Sequence, residues 1–316
     1  MSKTGVIIAN TGSPSAPTPD AVREYLKEFL TDPRIRPMNP LVWGIILNAF
    51  ILPKRSVASA EKYKAIWTDD GSPLVANAES LAKKASDSLG DGFAVRAAMS
   101  YGKPSMRDAL QNLRDEGCER IVAISLYPQS AYSTAGVVKD KLDASLQDIG
   151  WRPEVEFVES YGDEGIYLDA VADSIRDAGF GEEGDKLLMA FHSIPMADIE
   201  QGDTYAEQAR SSAEAITERL GIEDSDWCIG FQSRFDKNRK WLGPFTAESL
   251  EALGECKRLF VVTPNFSIDC LETLHDIGIV LRGRYSEDHP SSGFTYVECL
   301  NDSDAHVRLI EHLVRS

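Results

Sequence analysis

The sequence predicts an α/β chain of two doubly wound, Rossmann-like halves, each built on a parallel sheet. Three observations carry that expectation. Short apolar runs that read as buried strands alternate with amphipathic stretches along nearly all 316 residues, the pattern of parallel strands covered by helices on both faces. About eight such strands fit either one barrel or two open sheets, and the wide strand-end stretches FHSIP (191–195) and TPNF (263–266) favour open sheets, whose ligands bind beyond the carboxyl ends of the strands. No low-complexity linker interrupts the alternation, so the halves are expected to pack together.

The elements follow in order. TGVIIAN (4–10) reads as a buried strand. In TPDAVREYLKEFL (18–30), Thr18 caps a helix, Pro19 suits its first turn, and Val22, Tyr25, Leu26, Phe29 and Leu30 form one apolar face. A strand at 94–100, a helix near 105–116, a strand at 119–126 and a helix near 134–147 continue the pattern. The second half reads as strands at 155–160, 186–192, 227–233, 258–264 and 294–300, with helices near 164–178, 205–220, 246–255, 269–283 and 302–315. One segment breaks the alternation. NPLVWGIILNAFILPKRS (39–56) is apolar and aromatic but, as an isolated stretch, too short to span a bilayer; it reads as a buried helix or as a mobile lip over an apolar ligand or a membrane surface.

Composition narrows the function. Hydrophobic residues make up 43% and charged residues 26% of the chain, as in ordinary globular proteins. The formal net charge of −17 argues against nucleic acid as a partner and offers no general attraction to anionic lipid. The start MSKTGVIIAN lacks the pattern of a signal peptide. Cys118, Cys228, Cys256, Cys270 and Cys299 stand far apart with no C-x-x-C pair, so neither a disulfide framework nor a zinc ribbon is expected, and a reducing cytoplasm is. G-x-G-x-x-G, the P-loop, H-E-x-x-H and G-x-S-x-G are all absent, which favours chemistry without an organic cofactor.

Five features remain. His192 ends an apolar strand, where it is either a structural histidine or a base or metal contact. In PNFSIDCLETLHDIG (264–278), Asp269, Glu272 and Asp276 fall at i, i+3 and i+7 of an expected helix, so one face carries three carboxylates. That face is either a solvated surface or, because the helix is otherwise apolar, a path for a hard cation; His275 reads as surface. In LYPQSAYSTAG (126–136), Ser133 caps the next helix or helps hold a ligand carboxylate at its N-terminus. In ANTGSP (9–14), Gly12 suits a close backbone approach. Arg234, in FQSRF, is either a buried ion-pair partner or an anion clamp.

Together these segments resemble the ferrochelatase family. The resemblance runs along nearly the whole chain through NTGSP, AVREYLKEFLTDPR, YKAIWTDDGSPL, YGKPSMRDAL, LYPQSAYSTAG, FHSIP, GDTY, FQSRF, WLGP and NFSIDCLETL, in the family's order. It implies two doubly wound domains with parallel four-stranded sheets and a porphyrin cleft between them: residues 1–152 with the C-terminal helix 302–316, carrying the apolar lip 39–56, and residues 153–301. The implied activity is insertion of Fe²⁺, as substrate, into a porphyrin in haem synthesis. The family's histidine falls on His192 and its cleft glutamate on Glu272, with Asp276 continuing an acidic path; these three are the expected metal contacts, and His192 and Glu272 the expected catalytic groups. Thr11, Trp43, Ile46, Tyr127, Ser133 and Arg234 are the expected porphyrin contacts. Thr11, where members acting on coproporphyrin commonly carry tyrosine, leans toward protoporphyrin IX over coproporphyrin III. Several positions depart from the family: Ser130 and Ala135 stand where an aromatic and a small hydroxyl residue are common, with Tyr132 near the first, and Met196, Ala197 and Asp198 stand where a basic residue often follows the histidine motif. Cys299 is alone in its region, so no iron–sulfur cluster is expected. The alternatives are a chelatase for another metal or tetrapyrrole and a haem or porphyrin carrier. A cytoplasmic monomer with at most peripheral membrane contact completes the expectation.

Overall fold

A computed structural model describes residues 3–234 and 239–316. The chain divides into two compact units. The first comprises the residues up to Leu126, Tyr132–Glu159 and Asp302–Ser316; the second comprises Tyr127–Ala131 and Ser160–Asn301.

In the first unit, β1 (Lys3–Ser13), β2 (Phe93–Gly102), β3 (Cys118–Ser125) and β4 (Glu154–Val158) form a parallel sheet in the order β2-β1-β3-β4. In the second, β5 (Asp185–His192), β6 (Trp227–Gln232), β7 (Arg258–Val262) and β8 (Gly293–Tyr296) repeat that order as β6-β5-β7-β8. Both are open, doubly wound sheets. Their central strands are apolar because helices cover both faces: Val6, Ile7, Ile8 and Ala9 of β1, and Leu187 through Phe191 of β5, have no exposed surface. In each sheet the chain runs outward from the first strand to one neighbour, then crosses back to the other side. That places a topological switch between β1 and β3 and another between β5 and β7, the positions where open sheets leave a crevice at their carboxyl edge.

The structure differs from the sequence reading in four places. The sequence reading places β4 in the second half, but it pairs with β3 from Arg120↔Glu154 to Ile124↔Val158; alternation alone does not say which neighbour a strand joins, and the first unit runs on to Glu159, past the expected boundary at 152. A helix at Pro73–Leu89 was missed. Its signals are Ser72 at the cap position, Pro73 in the first turn and an inward row of Leu74, Ala78, Leu81, Ala85 and Leu89. It carries the C-terminal helix Asp304–Arg315 through Lys84 Nζ and Ser80 Oγ on Asp302, both 2.6 Å, and Ser88 Oγ on Glu311, 2.6 Å. The lip is longer than the sequence suggests, and mostly exposed. Residues 40–66 form one helical run of 27 residues in which a π-turn at Leu47–Ile51, with Pro53 just after it, joins two α-helical pieces. By length and composition alone this run could cross a membrane, and only 22% of its most apolar stretch is buried. Finally, the expected α-helix at 269–283 is a π-helix over Leu271–Leu281.

Candidate active site

His192 is the last residue of β5, paired with Gln232 of β6, so the switch-point strand delivers its imidazole to the carboxyl edge of the second sheet. Two contacts hold it. Its Nδ1 lies 2.7 Å from the Ser193 carbonyl oxygen. A carbonyl only accepts, so in the neutral ring the proton sits on Nδ1 and the lone pair on Nε2. Its own carbonyl oxygen accepts from the Tyr205 hydroxyl at 2.9 Å. Tyr205 is buried; burial, then nearby Asp203, pushes its phenol far above the ordinary range, so the hydroxyl stays protonated and donates. Ser193 closes the turn, its N–H on Gln232 O at 2.8 Å and its hydroxyl on Leu242 O at 2.8 Å. Tyr205 was not anticipated as a site residue, although the GDTY stretch that carries it was noted.

The loop after β7 leads into the helix that carries the carboxylates. Glu272 sits in its first turn, half-buried. Asp276 lies four residues on. The Arg282 N–H reaches back five residues to Ile277 O, the mark of a π-helix, whose wider turn of roughly 4–5 residues brings i and i+4 nearly into one row. Glu272 and Asp276 therefore share a face. Asp269 does not: it precedes the helix, is buried, and accepts from Thr273 Oγ1, Tyr296 OH, Asn301 Nδ2 and the Cys299 N–H at 2.7, 2.6, 2.7 and 3.3 Å. The expected three-carboxylate stripe is thus a pair plus an anchor. His275, read as surface, is half-buried, with Nδ1 2.8 Å from Asp276 Oδ1. Burial and the adjacent Glu272 carboxylate push the Cys270 thiol up, so it stays neutral beside that glutamate. Among the described residues no group of three or more His, Cys, Asp or Glu side chains is arranged to hold a metal ion, so His192, Glu272 and Asp276 do not form one closed cage.

Past His192, Asp198 is half-buried; burial, then Asp203, raises its carboxyl, and Arg239 opposes them. Arg239 lies over the Trp241 ring at 4.8 Å. Arg234 is exposed and stacks 4.2 Å over Phe245, which removes the buried ion-pair alternative. Tyr127 is buried in the second unit.

The first unit brings its own residues to its own carboxyl edge. Thr11 and Gly12 lie near the end of β1, with the Thr11 N–H on Asn10 Oδ1 at 2.7 Å. A Cβ at Gly12, where φ is +104°, would fall 1.9 Å from the Tyr101 carbonyl oxygen, so only glycine fits there. Ser133 is half-buried and does not cap the following helix, whose cap position is Thr134. Tyr132 is exposed under the Arg34 guanidinium, itself forked onto Asp140 at 2.6 and 3.0 Å.

On the lip, Trp43 corrects the sequence reading. It is 5% exposed and its Nε1 donates to Leu30 O at 2.6 Å, so it pins the helix to its own unit and does not face outward. Ile46 is half-buried. The outward face consists of Leu41, 80% exposed, with Val42, Ile45, Phe50 and Val57.

Known proteins match this chain along nearly its whole length. The family model Ferrochelatase matches residues 3–316. A protein named ferrochelatase from Thioalkalivibrio sulfidiphilus is 41% identical over 98% of this chain and 85% of its own length. Another from Aromatoleum aromaticum is 41% identical, covering 99% and 87%, and one from an Enterobacter species 38% identical, covering 99% and 98%. Among solved structures, SirB from Bacillus subtilis with Fe³⁺ superposes at a TM-score of 0.57 with 11% identity over 99% of this chain and 94% of that one. The sirohydrochlorin chelatase SirB from Bacillus subtilis subspecies spizizenii, in complex with cobalt, superposes at 0.54 with 10% identity over the same shares. These structural likenesses concern the fold.

Proposed function

Because this chain belongs to the ferrochelatase family, and so is a lyase that inserts metal into a porphyrin in haem synthesis, we propose that His192 and Glu272 carry the insertion of Fe²⁺, with Asp276 behind Glu272. The observation that carries this reading is the pairing at one switch point: β5 ends on an imidazole whose Nε2 holds a lone pair, and the loop after β7 opens onto the helix turn that carries Glu272.

The reaction exchanges two pyrrole N–H protons for one divalent ion, and the iron keeps its oxidation state. No redox cofactor or nucleotide enters the balance. A flat macrocycle resists the ion because its N–H groups fill the central hole, so a site that favours a bent ring exposes lone pairs and directs binding strain at the reaction. His192 Nε2 accepts a pyrrole proton or touches the ion from one face of the ring. Glu272 and Asp276, in one row, pass protons or the ion along the other. Imidazole and carboxylate ligands discriminate weakly among first-row divalent ions, so Zn²⁺ and Co²⁺ are expected to enter as well.

Protoporphyrin IX is the favoured macrocycle, with Thr11, Tyr127, Ser133 and Arg234 among its contacts, and Arg234 the cation for a propionate. The outward apolar face at 40–66 serves the macrocycle's apolar edge. It is flanked by Lys54, Arg55, Lys62 and Lys64 against Glu61 alone, in a chain whose net charge is −17, which supports a peripheral contact with an anionic membrane surface by this helix. The rest of the reading is a cytoplasmic monomer. Anaerobic turnover of Fe²⁺, Zn²⁺ and Co²⁺ against protoporphyrin IX and coproporphyrin III, followed by absorbance, tests it. Faster turnover of protoporphyrin IX is expected; a preference for coproporphyrin III overturns the substrate assignment, and tight binding without turnover would make the chain a carrier.

A further inference from the structure

The proposed mechanism leaves the buried carboxylate of Asp269 unused. Asp269 is 3% exposed, and each of its carboxylate oxygens accepts from two donors. Oδ1 accepts from Thr273 Oγ1 and Tyr296 OH, and Oδ2 from Asn301 Nδ2 and the Cys299 N–H. Its own N–H donates to Asn301 Oδ1 at 2.8 Å. Three chain segments meet on this one side chain: the loop after β7, the first turn of the helix at 271–281, and the stretch after β8.

The donors are held in that role. Burial, then Cys299 and Asp269, pushes the Tyr296 phenol far up, so it remains a donor. Asn301 stands in the left-handed region at φ +48°, a conformation that asparagine tolerates and that surrounding bonds must fix; its N–H on Ser267 O at 2.9 Å and its amide on Asp269 do so. On the helix side, Thr273 donates to Asp269 and accepts from the Cys270 N–H at 2.9 Å. Cys270 and Thr273 bracket Glu272, so the turn that carries Glu272 is tied to the carboxylate of Asp269 through the Thr273 hydroxyl.

We infer that Asp269 is a positioning residue for the insertion reaction: its carboxylate latches the stretch after β8 to the first turn of the helix and thereby fixes where the Glu272 carboxylate stands. This rests on the reading of Glu272 as a catalytic group. A carboxylate whose lone pairs are all engaged does not pass protons, so the latch and a proton-carrying role make opposite predictions.

The test compares Asp269→Asn, Tyr296→Phe, Glu272→Gln and the exchanged pair Asp269→Asn/Asn301→Asp in anaerobic Fe²⁺ insertion into protoporphyrin IX. Rates are expressed per porphyrin-binding site, with binding read by fluorescence quenching. Asp269→Asn sets two amide donors against each other and is expected to lower kcat about 10- to 100-fold, the scale of a misplaced catalytic group, with porphyrin affinity within about threefold and the pH–rate profile unshifted. Tyr296→Phe removes one donor and is expected to lose about threefold or more. The exchanged pair restores donor facing acceptor and is expected to recover most of the loss. The inference is overturned if Asp269→Asn keeps wild-type kcat, if only its thermal stability falls while the rate per site holds, or if its pH profile moves and the exchanged pair does not recover. Should Asp269→Asn not fold, Tyr296→Phe decides, and an unchanged kcat overturns the latch. A wild-type rate in Glu272→Gln overturns the site reading itself; an impaired Glu272→Gln beside an intact Asp269→Asn overturns the latch alone.

Discussion

Replacing Tyr205 by phenylalanine keeps a buried ring and deletes one oxygen. That oxygen is the hydroxyl donor 2.9 Å from the His192 carbonyl, at the point where β5 ends and ladder pairing stops. The carbonyl then lies beside a buried ring with its donor gone. Leaving a buried polar group unpaired costs about 1–3 kcal/mol. If the chain relieves that cost by letting residue 192 shift, the imidazole leaves its working position, and the same energy in the transition state corresponds to roughly a 5- to 150-fold loss of rate. Part of the cost will appear as lost stability, so the expected fall in kcat is about tenfold, with the KM for porphyrin within about twofold. The assay is anaerobic Fe²⁺ insertion into protoporphyrin IX, followed by loss of the free-porphyrin bands, with circular dichroism confirming the fold. The alkaline limb of the pH profile is expected to stay where it is, because burial and Asp203 already keep the Tyr205 phenol protonated in that range. A folded Tyr205→Phe protein with wild-type kcat would refute the claim that this bond positions His192.

Changing Leu41, Ile45 and Phe50 together to serine should weaken porphyrin affinity and binding to anionic vesicles while leaving thermal stability nearly unchanged, since all three are exposed; intact affinity for both would return the helix at 40–66 to a structural role. Trp43→Ala should do the reverse, lowering stability by about 3–5 kcal/mol, because the ring is buried and bonded to Leu30; denaturant unfolding measures it. Burial pushes the Asp185 carboxyl up, but the Arg258 guanidinium and the N–H groups of Gly181 and Glu182 outweigh it and hold the group below its ordinary range. A depressed folded value means stability that is present above the unfolded carboxyl range and lost as pH falls, so the acid limb below about pH 4 should flatten in Asp185→Asn when unfolding is followed against pH.

The alternating apolar runs made both sheets legible, because buried parallel strands leave an unmistakable pattern and glycine-rich turns such as the one at Gly12 mark close approaches. The pattern did not say which sheet β4 joins, since pairing is decided by tertiary context. The helix at Pro73–Leu89 went unread because no strand separates it from the helical run at 40–66, so strand–helix alternation does not place it. His192 and Glu272 were visible as residues at a strand end and after one. The role of Asp269 was not visible, because periodicity assumes an α-helix from 269 onward. The actual helix begins after Cys270 and is wound as π, and it is the buried bonds from residues 273, 296, 299 and 301 that separate Asp269 from the other two carboxylates. For the same reason the lip read as a choice between core and surface: burial of Trp43 and exposure of Leu41, two residues apart, satisfy both descriptions at once.

The central claim is that His192 and Glu272 carry metal insertion. Its most direct test is anaerobic turnover of Fe²⁺ and protoporphyrin IX by the unaltered protein, His192→Ala and Glu272→Gln, with porphyrin binding measured on the same samples. The account predicts that both variants bind porphyrin with near-normal affinity and lose about 10²–10⁴-fold in rate, the usual contribution of a placed proton-transfer group. Variants that bind normally and turn over at the unaltered rate across a range of Fe²⁺ concentrations would contradict it.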